Sequence, residues 1–237
     1  MAHSEIKALL FDVFGTVVDW RGSITIEMER FGHTHQIDQN WEQFVLDWRA
    51  LYQPAMDVIR KGNRGYVKLD QLHEENLQQL LKEYALDTLD DAQLDHINRA
   101  WHRLQPWADS LPGMYRLKKR YVLASLSNGN VALIVNMAKH SAIPWDMVLG
   151  SETSQGYKPQ EKVYLHSAQM LDLEPAQCMM VAAHNDDLAA ARSVGFKTAY
   201  INRPYEYGEA QLNDLHAEDD WDIVGEVMTD IADALGC

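Results

Sequence analysis

Four short stretches put chemically capable side chains where apolar runs stop. Asp12 ends "IKALLFD", Ser127 and Asn128 end "YVLASLSN", Lys158 stands in "GYKP", and Asp187 follows "CMMVAAHND". An acid, a hydroxyl beside an amide, an ammonium and a second acid are the types that attack, hold an anion and move a proton. Each also has a local explanation. Ser127 and Asn128 suit a helix cap, Asp187 suits the positive end of a helix, and Lys158 suits an exposed turn. Four such coincidences in one chain weaken the local explanations jointly, provided that the fold brings the strand ends together.

The periodicity supplies such a fold. "IKALLFDVF" is continuously apolar up to Asp12, the pattern of a strand covered on both faces. From about Arg21 to Gln105 apolar residues recur every three or four positions in "NWEQFVLDWRALYQPAMDVIRK", "LDQLHEENLQQLLKEYAL" and "TLDDAQLDHINRAWHRL", so helices and no strand are expected there. Beyond "PWADSLPGMYRLKKR", strand patterns ("YVLASLSN", "WDMVLGS", "CMMVAAH", "KTAYINR") alternate with helix patterns, and "WDIVGEVMTDIADAL" closes the chain. The expectation is an α/β fold, a Rossmann-like parallel sheet with its site beyond the carboxyl ends of the strands. The core then comprises residues 1–18 and 106–237, and residues 19–105 form an all-helical cap inserted after the first strand.

The 237 residues carry 21 basic and 35 acidic side chains, a net charge of −14, which disfavours nucleic acid and anionic membranes as partners and favours a small molecule. Two cysteines, Cys178 and Cys237, suggest neither a disulfide framework nor a zinc site. "MAHSEIK" precedes no signal-type apolar segment and no run reaches membrane-spanning length, so a cytoplasmic location is expected. His33 and His35 in "GHTHQ" have no carboxylate or thiol at ligand spacing and read as a solvated loop, not a metal site. "SLSNG" lacks the Gly-x-Ser-x-Gly elbow of a serine hydrolase.

In order and spacing, Asp12-Val13-Phe14-Gly15-Thr16, Ser127-Asn128, Lys158-Pro159 and the loop ending at Asp187 resemble the haloacid dehalogenase superfamily over essentially the whole chain. The resemblance implies that Asp12 is a nucleophile. Phosphatases of that superfamily have a second Asp two positions after the nucleophile, where this chain has Phe14. They also draw a metal ligand from the acidic loop, where this chain has Ala183. With those groups absent, the resemblance is to the L-2-haloacid dehalogenase branch, which "FDVFGTVVDWR", "SNGN" and "LDWRALY" match closely.

That branch implies attack of Asp12 on carbon 2 of a short 2-halocarboxylate, loss of halide with inversion, and hydrolysis of the resulting ester by water. Halide leaves without a proton, so Phe14 can replace the acid. Gly15 permits the sharp exit from the strand and Thr16 can orient the Asp12 carboxylate. By the same resemblance, Arg49 holds halide and the anionic end of the substrate, with Arg21 a weaker candidate. Asn128 shares the halide pocket, and Ser127 binds the substrate carboxylate. Lys158 pairs with that carboxylate and with Asp12, Tyr164 locks the Lys and Asp network, and Asp187 orients or activates the water. The chain departs from the branch at Ala182, Ala183 and His184, where two serines and an Asn are usual. His184 can then hydrogen-bond the nucleophile or the water, and whether fluoride can be expelled stays open.

No cofactor or metal is expected, and the partners are a halogenated carboxylate and halide, with a homodimer implied by the resemblance alone. Two alternatives remain at this level: a Mg²⁺-dependent phosphatase of the same fold, and a non-catalytic relative that binds a carboxylate.

Overall fold

The computed structural model describes residues 6–86 and 88–237. Residues 1–5, on which the reading of "MAHSEIK" partly falls, lie outside them.

Strand β1 (Ala8–Phe11) is followed by the two-residue β2 (Val18–Asp19). Helices α1 (Trp20–His35), α2 (Trp41–Ala50), α3 (Tyr52–Arg60), α4 (Leu69–Glu83) and α5 (Asp91–Asn98) come next, then a 3₁₀ turn at Arg99–His102. The chain returns through β3 (Gln105–Pro106) and α6 (Ser110–Leu117). The α/β part runs β4 (Val122–Ser127), α7 (Val131–Ser141), β5 (Met147–Gly150), α8 (Ser151–Ser154), α9 (Glu161–Met170), β6 (Cys178–Ala182), α10 (Asn185–Ser193) and β7 (Lys197–Ile201). It ends with β8 (Ile223–Gly225) and α11 (Met228–Ala234).

Six strands form a parallel sheet in the order β5-β4-β1-β6-β7-β8. Their apolar runs are continuous because both faces are covered. Leu9 and Phe11 of β1 join Leu123, Met179 and Val181 in one apolar cluster, whereas Ala8 and Leu10 join Ala124, Leu126 and Met180 in the other. This is the period-two alternation of a strand whose two faces are both buried. The chain order reverses at β1, which pairs with β4 on one side and β6 on the other, so the carboxyl end of β1 opens into the crevice where such sheets bind ligands.

The first cluster continues from the sheet into the helical segment through Phe14, Val17 and Trp20 to Phe44, Trp48, Tyr52 and Trp101. Asp19 starts α1 by accepting the Gly22 N–H at 2.8 Å. Two local readings need correction. The stretch read as strand-free ends at Gln105, which pairs antiparallel with Asp19 as the helical segment leaves and rejoins the core. The helical pattern over "NWEQFVLDWRALYQPAMDVIRK" comprises two helices that meet at Leu51, because Pro54 lacks the N–H that a through-going helix needs. His33 and His35 lie in the last turn of α1, where the carbonyl end of the helix favours basic side chains, and not in a loop. Among the described residues no helix is long and apolar enough to cross a membrane.

Candidate active site

Asp12 follows β1, its N–H bonded to Val181 O on β6 at 3.0 Å, and its carboxylate is buried. The next turn is tight. Gly15 has φ of 85°, and a Cβ there would come within 2.2 Å of the Glu206 carboxylate, so no other residue fits without displacement. The turn brings Thr16 back under Asp12. Its hydroxyl donates to Asp12 Oδ2 at 2.8 Å and accepts the Ala183 N–H at 2.9 Å.

Lys158 reaches Asp12 from the loop before α9. Its Nζ lies 2.8 Å from Asp12 Oδ1 and also contacts Asp187 Oδ2. Its backbone N–H donates to Asn128 Oδ1 at 2.9 Å, which fixes the loop to the end of β4. Tyr164 on α9 donates its hydroxyl to Asp187 Oδ1 at 2.6 Å. Asp187 lies in the first turn of α10, where a carboxylate is also favoured by the helix dipole.

Burial works against the charge of Asp12, but the Lys158 ammonium and the His184 imidazole outweigh it and hold the carboxyl well below the usual range. Asp187 goes the other way: burial, with Asp12 nearby, raises it despite Lys158. Lys158, pressed by burial toward the neutral form, is kept charged by the two carboxylates. Two acids on one lysine therefore differ in basicity, one fixed as the anion and the other better able to take a proton.

A cleft of about 520 Å³ opens above this network, with Asp12, Asn128, Lys158, Tyr164, His184 and Asp187 on its core side. Arg49, Phe14, Tyr52 and Tyr207 also line it. Arg49, buried at the end of α2, places its guanidinium 4.0 Å from the Tyr52 ring centroid and 5.1 Å from that of Trp20, and its Nη1 has no hydrogen-bond partner among the described residues. Phe14 stands edge-on to Trp101, with ring centroids 5.7 Å apart. The site is thus a buried carboxylate with an ammonium at its side, in a cleft whose cap side carries Arg49 among the aromatic rings of Phe14, Trp20 and Tyr52. A groove of about 740 Å³ lined by Arg30, His35, Arg103 and His140 is larger but contains none of the strand-end residues.

Of the residues expected from sequence, Asp12, Phe14, Arg49, Asn128, Lys158, Tyr164, His184 and Asp187 converge on the cleft, and Thr16 lies directly beneath Asp12. Ser127 is buried and its hydroxyl accepts the Gly129 N–H at 3.0 Å, so it lies behind the lining of the cleft. Arg21 pairs with Glu42 at 2.6 Å, outside the cleft. Tyr52, Tyr207 and above all Glu206 were not foreseen. Glu206 Oε2 lies 2.8 Å from His184 Nε2, and its other oxygen accepts the Trp20 indole N–H at 2.8 Å. The one signal in the sequence was His184 itself, a histidine at a strand end in need of a partner.

Residues 6–195 match the family model of the haloacid dehalogenase-like hydrolases. The chain is 30% identical over 202 residues to an (S)-2-haloacid dehalogenase of Pseudomonas sp. (strain YL), covering 84% of this chain and 83% of that one. Its structure is similar to that of a defluorinating L-2-haloacid dehalogenase, 45% identical with a TM-score of 0.96 over 98% of this chain and 96% of the other. A second L-2-haloacid dehalogenase structure, also 45% identical, gives a TM-score of 0.95 over 98% and 99%. The chain belongs to the haloacid dehalogenase-like hydrolases, in the branch of the L-2-haloacid dehalogenases.

Proposed function

We propose that the protein is a hydrolytic dehalogenase that converts short L-2-haloacids to 2-hydroxy acids through an ester on Asp12. The observation that carries this reading is a buried, ionised Asp12 in the same cleft as Arg49, whose guanidinium is packed on aromatic rings with Nη1 left for a ligand. Lys158, Thr16 and His184 aim the Asp12 carboxylate. Arg49, with Asn128 beside it, receives the halide as negative charge develops on it, and a planar, permanently charged guanidinium suits that dry position. Attack from the side opposite the leaving group inverts carbon 2. Phe14 supplies no proton, and halide needs none. Residues 19–105 act as the cap that contributes Arg49, and residues 1–18 and 106–237 as the core that contributes the acids and the lysine.

Water then attacks Cγ of the ester, with Asp187 taking its proton. Fluorinated acids fall within the proposed range, because a structure named as a defluorinating enzyme is 45% identical over nearly the whole chain. The reading is tested by halide release from the separate enantiomers of 2-chloropropionate and from fluoroacetate in the presence of EDTA. Release from the (S) acid with an (R)-2-hydroxy product supports it. No halide from any of them, or a product of retained configuration, would contradict it.

A further inference from the structure

The donors around Asp12 divide unequally between its two oxygens. Among the described residues Oδ1 faces the Lys158 ammonium, whereas Oδ2 receives the Thr16 hydroxyl at 2.8 Å and lies 3.2 Å from His184 Nδ1. Both Oδ2 donors are aimed from behind. Thr16 Oγ1 already accepts the Ala183 N–H, which leaves its proton for Asp12. His184 Nε2 is held by Glu206, and Glu206 by the Trp20 indole. A carboxylate only 1% exposed is costly unless it does something, and the reading of Asp12 as nucleophile makes no use of it.

We propose that Glu206 is a positioning residue that keeps His184 a hydrogen-bond donor to Asp12 Oδ2, so that His184 and Thr16 form the oxyanion hole for hydrolysis of the Asp12 ester. The inference rests on the proposed ester on Asp12.

The atoms balance as follows. Oδ1 attacks carbon 2 and Oδ2 remains as the ester carbonyl. A water oxygen bonds to Cγ, one water proton goes to Asp187, and the carbonyl π pair moves onto Oδ2, which the Thr16 hydroxyl already contacts and His184 Nδ1 lies 3.2 Å from. The pair returns as the Cγ–Oδ1 bond breaks. Oδ1 leaves as the product hydroxyl with a proton from Lys158, and Asp187 returns its proton to Lys158. The second water proton, left on the regenerated Asp12 carboxyl, is lost to solvent. Each cycle consumes one haloacid and one water and releases halide, hydroxy acid and one proton.

The second acid answers a problem of charge. Burial alone favours neutral His184, and Glu206 and Asp12 together overcome it, raising the imidazole well above its ordinary value. Once Asp12 is esterified its charge is gone, and Glu206 is the anion left to sustain the donor in the step that needs it. The other ionisable groups near the ring are Lys158, across Asp12, and the Tyr200 hydroxyl on β7.

The test is rapid quenching of the full-length protein with bromoacetate, following bromide and the carboxymethyl ester by intact mass. Glu206→Gln keeps the volume and an oxygen for Trp20, but its amide donates to His184 Nε2 and cannot support the cation. Its expected behaviour is a bromide burst near the wild-type rate, then turnover slowed about tenfold with the ester accumulating. His184→Ala, which removes the donor, is expected to slow ester hydrolysis about 100-fold, the usual loss for one oxyanion donor. Ester clearance at the wild-type rate in both variants, or alkylation and hydrolysis slowed equally, would overturn the role. If Glu206→Gln does not fold, His184→Ala decides by the same readout. Wild-type protein that releases bromide without ever carrying the ester would instead sink the reading of Asp12 and this inference with it.

Discussion

Lys158 Nζ lies 2.8 Å from Asp12 Oδ1 and also contacts Asp187, so one ammonium bridges two buried acids that the chain brings from different strand ends. Replacing it with an apolar residue leaves Asp187, among the described residues, without a cationic partner and Asp12 with the His184 imidazole alone. Lys158→Met is expected to cost about 3–5 kcal/mol of stability, as breaking a buried pair does. It should also abolish turnover. Urea unfolding checks the first outcome, and an unchanged midpoint would show that Lys158 is not the partner that keeps these acids charged.

Tyr164 tunes the second acid. Its hydroxyl bond lowers Asp187, which burial has raised. Tyr164→Phe removes that bond, so the acid limb of the kcat profile, which reports the ester-bound enzyme, should move to higher pH. Stability should fall by about 1.5–3 kcal/mol, the range for a hydrogen bond to a charged group. A limb that stays in place would remove Asp187 from the proton transfer.

Arg49 is stacked over Tyr52 and presents an unsatisfied Nη1. A lysine keeps the charge and loses the planar fork. Arg49→Lys is expected to lower kcat/KM for 2-chloropropionate by about 100-fold. Wild-type kinetics would assign the halide to another group.

His184 makes stability depend on pH in a definite sense. Its folded-state affinity for the proton is raised above the ordinary 6.5. The charged imidazole therefore stabilises the fold fully below that value, and the contribution is lost as pH rises through the folded value. The Tm difference between wild type and His184→Gln should be greatest in mild acid and shrink toward alkaline pH. A difference independent of pH would mean that the ring is neutral in the folded protein.

The strands were legible because burial on both faces leaves continuous apolar runs, and Asp12, Asn128 and Asp187 were legible as cleft residues because they follow those runs. Pro54 breaks an apolar rhythm that itself continues unbroken, so periodicity alone does not mark the boundary between α2 and α3. Ser127 was expected in the cleft, but its short hydroxyl meets a backbone N–H two residues on, the local competition usual for serine. Glu206 was invisible for a different reason. It lies between β7 and β8 in a loop without period, and its partners Trp20 and His184 are 186 and 22 residues away. Only the folded loop makes that acid part of the site.

The central claim is that Asp12 attacks the substrate and water attacks Asp12. A single turnover in heavy-oxygen water, with enzyme in excess over 2-chloropropionate, separates this from direct hydrolysis. The expected result is label in the peptide that contains Asp12 and an unlabelled hydroxyl in the product, with Asp12→Asn releasing no halide. Label in the product hydroxyl during that first turnover would contradict the account.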